Sequence, residues 1–308
     1  MAKTSENAAL DMSMEPQAQP EPSAVDKVDL TINLPVLSQP QAALEVVQEN
    51  LQGFQDDIKL FEKINMPSGG GLSFEITDEN GEPQPIQKLQ GVILHKQPFK
   101  AWYEKSFEEK SDDDLGIPDC YATQANVNGV ARFVGSGCER AGIPKGQACE
   151  SCPKNQWGSD RRGGNGKDCA DKIRIHILRE GNVFPDYLDL PPTSTGNFKD
   201  YLKRLSNKLF TFYGVITAVG LEKAESTKGK IKYSKATFAK AGELAPQERK
   251  AIQGYIGKLR PAMEQISRES IGEPVSFAGN TNDGDSQDIN TMDFSDDKSA
   301  TGKTEQVY

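Results

Sequence analysis

All five cysteines of this 308-residue chain fall between Cys120 and Cys169, in a stretch rich in Arg, Lys, Asn and Gly and poor in apolar side chains. Such a stretch cannot bury enough surface to offset the entropy of ordering it, so something other than a hydrophobic core must hold it. A bound metal is the simplest such constraint. Cys149 and Cys152 form a Cys-x2-Cys pair, with Cys120 and Cys138 upstream and Cys169 downstream. A turn of this kind presents two thiolates to one ion, and two further cysteines close a tetrahedral zinc set with no position left for water, as in a structural site. Cys149, Cys152 and Cys169 are the firmest candidate ligands. The fourth is Cys120 or Cys138, and Cys120 is preferred because it and Cys169 flank the loop where it should leave and rejoin ordered structure. An iron–sulfur cluster on four thiolates satisfies the same spacing. Disulfides need an oxidising compartment, and the N-terminal MAKTSENAALDMSMEPQ carries no apolar run to direct export.

The net charge of -9 argues at first against a nucleic-acid partner, but its distribution reverses that impression. Residues 1–59 hold 3 basic and 10 acidic side chains, residues 271–308 hold 2 and 8, and residues 199–270 hold 15 and 7. Acidic ends around a basic segment are a charge pattern for a polyanion partner. A mean hydropathy of -0.61 and the lack of a long apolar run exclude a membrane-spanning helix, so no membrane partner is expected.

Along the chain, residues 1–40 read as a disordered arm rich in Pro, Gln and Glu. Leu44, Val47, Leu51, Phe54, Ile58 and Phe61 recur at alternating spacings of three and four, which predicts an amphipathic helix over 41–66. Residues 67–270 are expected to form one OB-like nucleic-acid-binding domain: strand signals at Leu72, Phe74 and Ile76, an Asn80-Gly81 turn, a long bent strand through QGVILHKQPFKAW, and then the cysteine loop at 120–169. Beyond it, Ile173, Ile175 and Ile177 mark a core face, with Arg174, His176 and Leu178 on a second face expected to be available. Thr193, Ser194 or Thr195 should cap a helix carrying Phe198, Tyr201, Leu202, Leu205 and Leu209. A hairpin follows, and then a helix from Pro246 that buries Ile252, Tyr255, Ile256, Leu259, Met263 and Ile266 and that Pro261 should kink or break. Residues 271–308 form an acidic, aperiodic and hence disordered tail. The fold class this predicts is mainly β with peripheral helices, as a small OB-like barrel with an inserted zinc loop; a β-sandwich with a zinc-ribbon insertion is the competing architecture.

Single strands of nucleic acid are held by cationic grooves that follow phosphates and by aromatic faces on which bases stack. Lys230, Lys232 and Lys235 interleave with Tyr233 on the late hairpin, and the cysteine loop adds Lys154, Trp157, Arg161, Arg162 and Lys167. Trp102 ends the long strand and Arg174 lies on the second face of the next one, completing the candidate contacts. The alternative for each lysine is a solvated edge that prevents edge pairing, and for each ring a place in the core.

The run ACESCPKNQWGSDRRGGNGKDC, followed by a strand and then DLPPTSTGNF, resembles the zinc-bearing single-stranded DNA-binding proteins of tailed bacteriophages and related mobile elements. The likeness covers roughly residues 85–268, and the matching positions are Cys149, Cys152, Asn155, Trp157, Gly158, Ser159 and Cys169, with Cys120 as the upstream cysteine. The resemblance implies an OB-type barrel, a structural zinc, and a role in DNA replication or recombination in the cytoplasm of a bacterial host cell; the acidic tail, with Met292 and Phe294 set among its carboxylates, is read from its own residues as a dock for replication or recombination proteins. A more distant likeness is to the helix-destabilising proteins of T-even phages, whose zinc set includes a histidine; no histidine lies within this loop.

Enzyme readings fare worse, and no enzymatic activity is expected. The zinc deaminase signature needs His-x-Glu and Pro-Cys-x-x-Cys, whereas Lys96 and Gln97 follow His95 and Ala148 precedes Cys149. The Gly-Lys-Thr at 302–304 has Asp297 where a phosphate loop needs Gly. A zinc-stabilised duplex-DNA-binding module, a protein-interaction module and a cluster-bearing nuclease remain as alternatives.

Overall fold

The computed structural model describes residues 32–53, 60–67, 69–105, 117–161, 163–225, 232–266 and 270–271. The arm up to residue 31, the tail from 272, Phe54 and Ile58 of the expected helix, and the candidate contacts Arg162 and Lys230 lie outside them. In chain order the elements are helices α1 (Pro35–Ser38) and α2 (Pro40–Leu51), strands β1 (Lys63–Ile64), β2 (Phe74–Thr77), β3 (Pro83–Ile86), β4 (Leu89–Trp102), β5 (Cys120–Val127), β6 (Val130–Gly135), β7 (Ala170–Arg179) and β8 (Asp186–Leu190), helix α3 (Pro192–Asn207), strands β9 (Val215–Glu225) and β10 (Lys232–Glu243), and helix α4 (Pro246–Glu264).

Strand β4 is the hub. Of its 14 residues, Gly91–Ala101 pair antiparallel with β7 along one edge, while the other edge is shared between β9 at Leu89–Gly91 and β5 at Lys100–Trp102. β8 and then β1 extend the sheet beyond β7, β6 lies outside β5, and β10 lies outside β9. The result is a mostly β molecule whose main sheet curls into a half-barrel. β2 and β3 form a separate hairpin, whose turn is held by Asp78 Oδ1 accepting from the Asn80 and Glu82 amides. Gly91 is required where β4 crosses β7, since a Cβ there would stand 2.3 Å from the Leu178 carbonyl oxygen.

A bulge between Ile93 and His95 shifts the β4–β7 register. Side chains alternate with a period of two, so one extra residue moves every later side chain to the opposite face. Ile93 pairs with Ile177 and Lys96 pairs with Ile175 on the α3 side, whereas His95, Gln97 and Phe99 pair with His176, Arg174 and Lys172 on the α4 side. Cores lie on both faces: Phe198, Tyr201 and Leu205 of α3 meet Ile173, Ile175, Ile177 and Phe238, while Ile252, Leu259 and Met263 of α4 meet Val92, Leu94, Leu178 and Phe61.

Five expectations are corrected. The arm expected to be disordered over 1–40 is ordered from residue 32, where α1 forms and Leu34 and Val36 are buried in the α4-side core. The helix predicted over 41–66 ends at Leu51, where Gly53 takes φ +87°, and the chain returns as strand β1 parallel to β8, with Phe61 buried in the α4-side core. Val47 and Leu51 of α2 and Phe61 just before β1 pack against the same α4-side core, whereas Ile64 of β1 enters the α3-side core. The second face of β7 is not available, because Arg174, His176 and Leu178 are all buried. No side chain caps α3; Ser194 Oγ instead accepts from the Ala236 amide and ties the helix to β10. Pro261 does not end α4: it lies in the last turn, so at most one ladder bond is lost while Leu259 and Met263 remain packed. Among the described residues no helix is long and apolar enough to cross a membrane.

Candidate metal centre and nucleic-acid interface

The end of β4 brings the two ends of the cysteine loop together. Cys120, the first residue of β5, is the cross-strand partner of Trp102, and Cys169 immediately precedes Ala170, the partner of Ala101. The first part of the loop is not irregular: β5 and β6 form a hairpin whose turn residues Asn128 and Gly129 take φ 52° and 81°. Asn-Gly between apolar residues is a strong short-range hairpin signal, and Val127-Asn128-Gly129-Val130 carries it. Beyond β6 the Cys149 amide donates to the Phe133 carbonyl, the Asn155 side chain donates to the Cys149 carbonyl at 2.7 Å, and the Cys169 amide donates to the Lys154 carbonyl at 2.8 Å.

Cys120, Cys149, Cys152 and Cys169, each 7–8 % exposed, line one cavity of ≈ 20 Å³ together with Lys100, Trp102, Lys154 and Asn155. A volume of that order holds one water-sized occupant. Cys138 does not line it; it sits half-buried on a turn where it exchanges two backbone hydrogen bonds with Ile143. Four thiols lining one cavity fit a thiophilic metal in donor type. Closed coordination is a different matter: among the described residues no group of three or more His, Cys, Asp or Glu is arranged to hold an ion. Burial pushes the Cys149 thiol up to about 11 and, with the neighbouring Cys149 adding to it, the Cys169 thiol up to about 12; burial raises Cys120 as well. A metal binding here would displace thiol protons. Lys100, which opposes the shift at Cys149 and Cys169, is ion-paired with Asp171 and hydrogen-bonded to Asn155.

Around the cavity the candidate nucleic-acid contacts divide. Trp102 is 3 % exposed and donates its indole N–H to Asp168 at 2.7 Å, with Lys154 and Arg161 over its ring, so it offers no stacking face. Arg174 is fully buried and forks onto both oxygens of Asp189 at 2.7 and 2.8 Å while donating to Ser270. Both are withdrawn as contacts. Asp168 also pairs with Arg161 at 2.8 Å and Lys154 at 3.5 Å. Burial alone would raise its carboxyl; the Arg161 hydrogen bonds, the Trp102 indole and the two cations outweigh it, leaving the group lowered. Lys154 and Arg161 therefore hold the loop together, leaving only part of each side chain toward solvent. Trp157 is different. It is 79 % exposed, with the Lys167 ammonium 5.3 Å from its ring and Lys167 itself steadied by Asp171 at 3.0 Å. Lys232 is exposed, whereas Tyr233 and Lys235 share the outward face of β10, half-buried, with Lys235 3.5 Å from Glu222.

Compared with known proteins, the chain matches no family model, no curated protein and no solved structure. Its site must therefore be read from its own residues. Sequence reasoning passed over Lys100, Asp168 and Asp171, the polar groups that join the thiol cavity to the exposed loop, because a single Lys or Asp carries no periodicity. Only the β4–β7 register brings Lys100 opposite Asp171.

Proposed function

We propose that this protein binds single-stranded DNA with low sequence preference, on an OB-like curled sheet braced by a structural zinc, and that it serves replication or recombination in a bacterial host. The observation that carries the reading is the pairing of an almost fully exposed tryptophan, Trp157, with Lys167 on a loop pinned to four thiols that line one cavity. An indole 79 % exposed keeps a ring face open to water, and bases stack on such faces without regard to sequence. Cys120, Cys149, Cys152 and Cys169 would hold the metal, which when bound supplies a cross-link between β5, the Cys-x2-Cys turn and the start of β7. The chain's own residues do the recognition: Trp157 offers the face, Lys167 the charge, and Asp171 and Asn155 fix the lysine in place.

Fluorescence anisotropy with a labelled dT oligomer across a salt series tests this. Affinity should fall with salt, by about 0.7 in log–log slope for each phosphate neutralised on a single strand. Equal affinity for duplex would favour a duplex-reading module instead, and no binding at all would favour a protein-interaction module.

A further inference from the structure

Trp157 is not the only aromatic ring under a lysine on the α3 side of the sheet. Lys96 stands 5.5 Å from the Phe212 ring and Lys240 stands 4.3 Å from the Phe210 ring. Phe210 and Phe212 follow α3 and are half-buried, packing one side on the α3-side core, while Lys96 is exposed. Lys96 makes no salt bridge among the described residues; Lys240 pairs with Glu243. Lys96 reaches this face only because of the bulge after Ile93, which turns the even-numbered residues of β4 toward α3. The same face then runs through exposed Pro98 to Lys100, whose ammonium lies over Phe133 at 4.9 Å and is bonded to Asn155 and Asp171, the groups that also hold Lys167. At about 3.3 Å per residue, Lys96 and Lys100 are roughly 13 Å apart along β4.

Beside Phe210 stands Leu209, 92 % exposed with φ +59°. Leu209 closes α3 as its left-handed cap, its amide donating to the Ser206 carbonyl and the Phe210 amide donating to the Leu205 carbonyl. The cap accounts for that conformation, and it delivers Phe210 to the edge of the α3-side core with Lys240 over its ring.

Resting on the reading of single-stranded DNA binding, we infer that the strand is held at two points: Trp157–Lys167 at the cysteine-loop end of β4, and Lys96–Phe212 with Lys240–Phe210 at the α3 end. A short oligomer meets one point and a longer one spans both. Lys100 between them faces inward and serves the loop, not the strand.

The test compares the full-length protein with Lys96→Ala, Phe212→Leu and Trp157→Ala variants, by anisotropy with dT oligomers of about 4 and about 16 nucleotides, the range covered by single small barrels. Thermal melts of each variant identify any that fail to fold, and Lys96→Ala removes no buried group. The expected result is that Lys96→Ala and Phe212→Leu weaken binding of the long oligomer about tenfold more than that of the short one, with Lys96→Ala lowering the salt slope on the long oligomer by about 0.7. Trp157→Ala should weaken both. If the first two variants bind both lengths like the parent, or lose equally on both, the two-point path is wrong while single-strand binding stands. Failure of the parent to bind either oligomer overturns the underlying reading as well.

Discussion

His95 and His176, the two histidines of the chain, are cross-strand partners in the β4–β7 ladder with ring centroids 5.9 Å apart. His176 also meets Phe61 edge-on at 5.3 Å and lies 6.1 Å from the Tyr187 ring. Neither His95 Nε2 nor His176 Nδ1, both buried atoms, has a hydrogen-bond partner. Burial, then the charges of Arg260 and Lys96, push His95 down to about 4; burial, then Arg174 and His95, hold His176 well below the usual imidazole range.

This pair makes stability depend on pH in a defined sense. Both folded-state values are depressed, so the unfolded chain binds more protons between about 4 and the usual 6.5, and stability rises with pH through that window. It should be fully present above 6.5 and lost on acidification. Asp186, raised by burial, works in the opposite sense, while Asp168 and Asp171 are lowered and titrate below the window. Urea unfolding at a series of pH values should show the slope in the parent and a flatter one in His95→Gln/His176→Gln; an unchanged slope in that variant would count against the pair.

Removing Cys149 or Cys152 as serine should abolish zinc binding and lower stability by several kcal/mol, because the binding free energy of a structural ion is folding free energy. Cys120→Ser should behave alike, and Cys138→Ser should keep its metal, since Cys138 lies off the cavity. Elemental analysis of the four purified variants reads this directly. Metal retained by Cys120→Ser and lost by Cys138→Ser would reverse the assignment.

Arg174→Met should cost about 3–5 kcal/mol, since it leaves the Asp189 carboxylate buried without its partner. Ser270, which accepts from both Arg174 and Tyr187, loses its Arg174 bonds and should be held less firmly against the sheet. Chemical denaturation measures the loss, and protease sensitivity near Ser270 reports the loosening. Trp157→Ala, by contrast, should leave stability within about 0.5 kcal/mol of the parent, as an exposed substitution does.

Deleting residues 280–308 should tighten binding to single-stranded DNA at low salt and have less effect at high salt, if the acidic tail competes with the strand for cations. The segment with Met292 and Phe294 beside Asp293, Asp296 and Asp297 is also the expected dock for a partner protein. Unchanged affinity at low salt together with unchanged partner binding would leave the tail a passive solubiliser.

Much of this molecule was written in local patterns. Period-two alternation marked β2, β7 and β10, the three-four spacing of Ile252 to Met263 marked α4, and a polar stretch holding every cysteine marked the candidate centre, because each signal depends only on residues near one another in sequence. Tertiary structure decided what local pattern cannot encode. Whether Arg174 faces water or a buried Asp189 depends on the β7–β8 pairing and on Ser270, 96 residues further along the chain, and whether Trp102 can stack a base depends on Asp168, which the loop brings back to it from 66 residues away. Which face of β4 carries Lys96 turns on one bulged residue, and Cys120 rather than Cys138 lines the thiol cavity because β4 pairs with β5 on one edge and β7 on the other. Those outcomes come from non-local register and burial, where a single residue's shift exchanges core for surface.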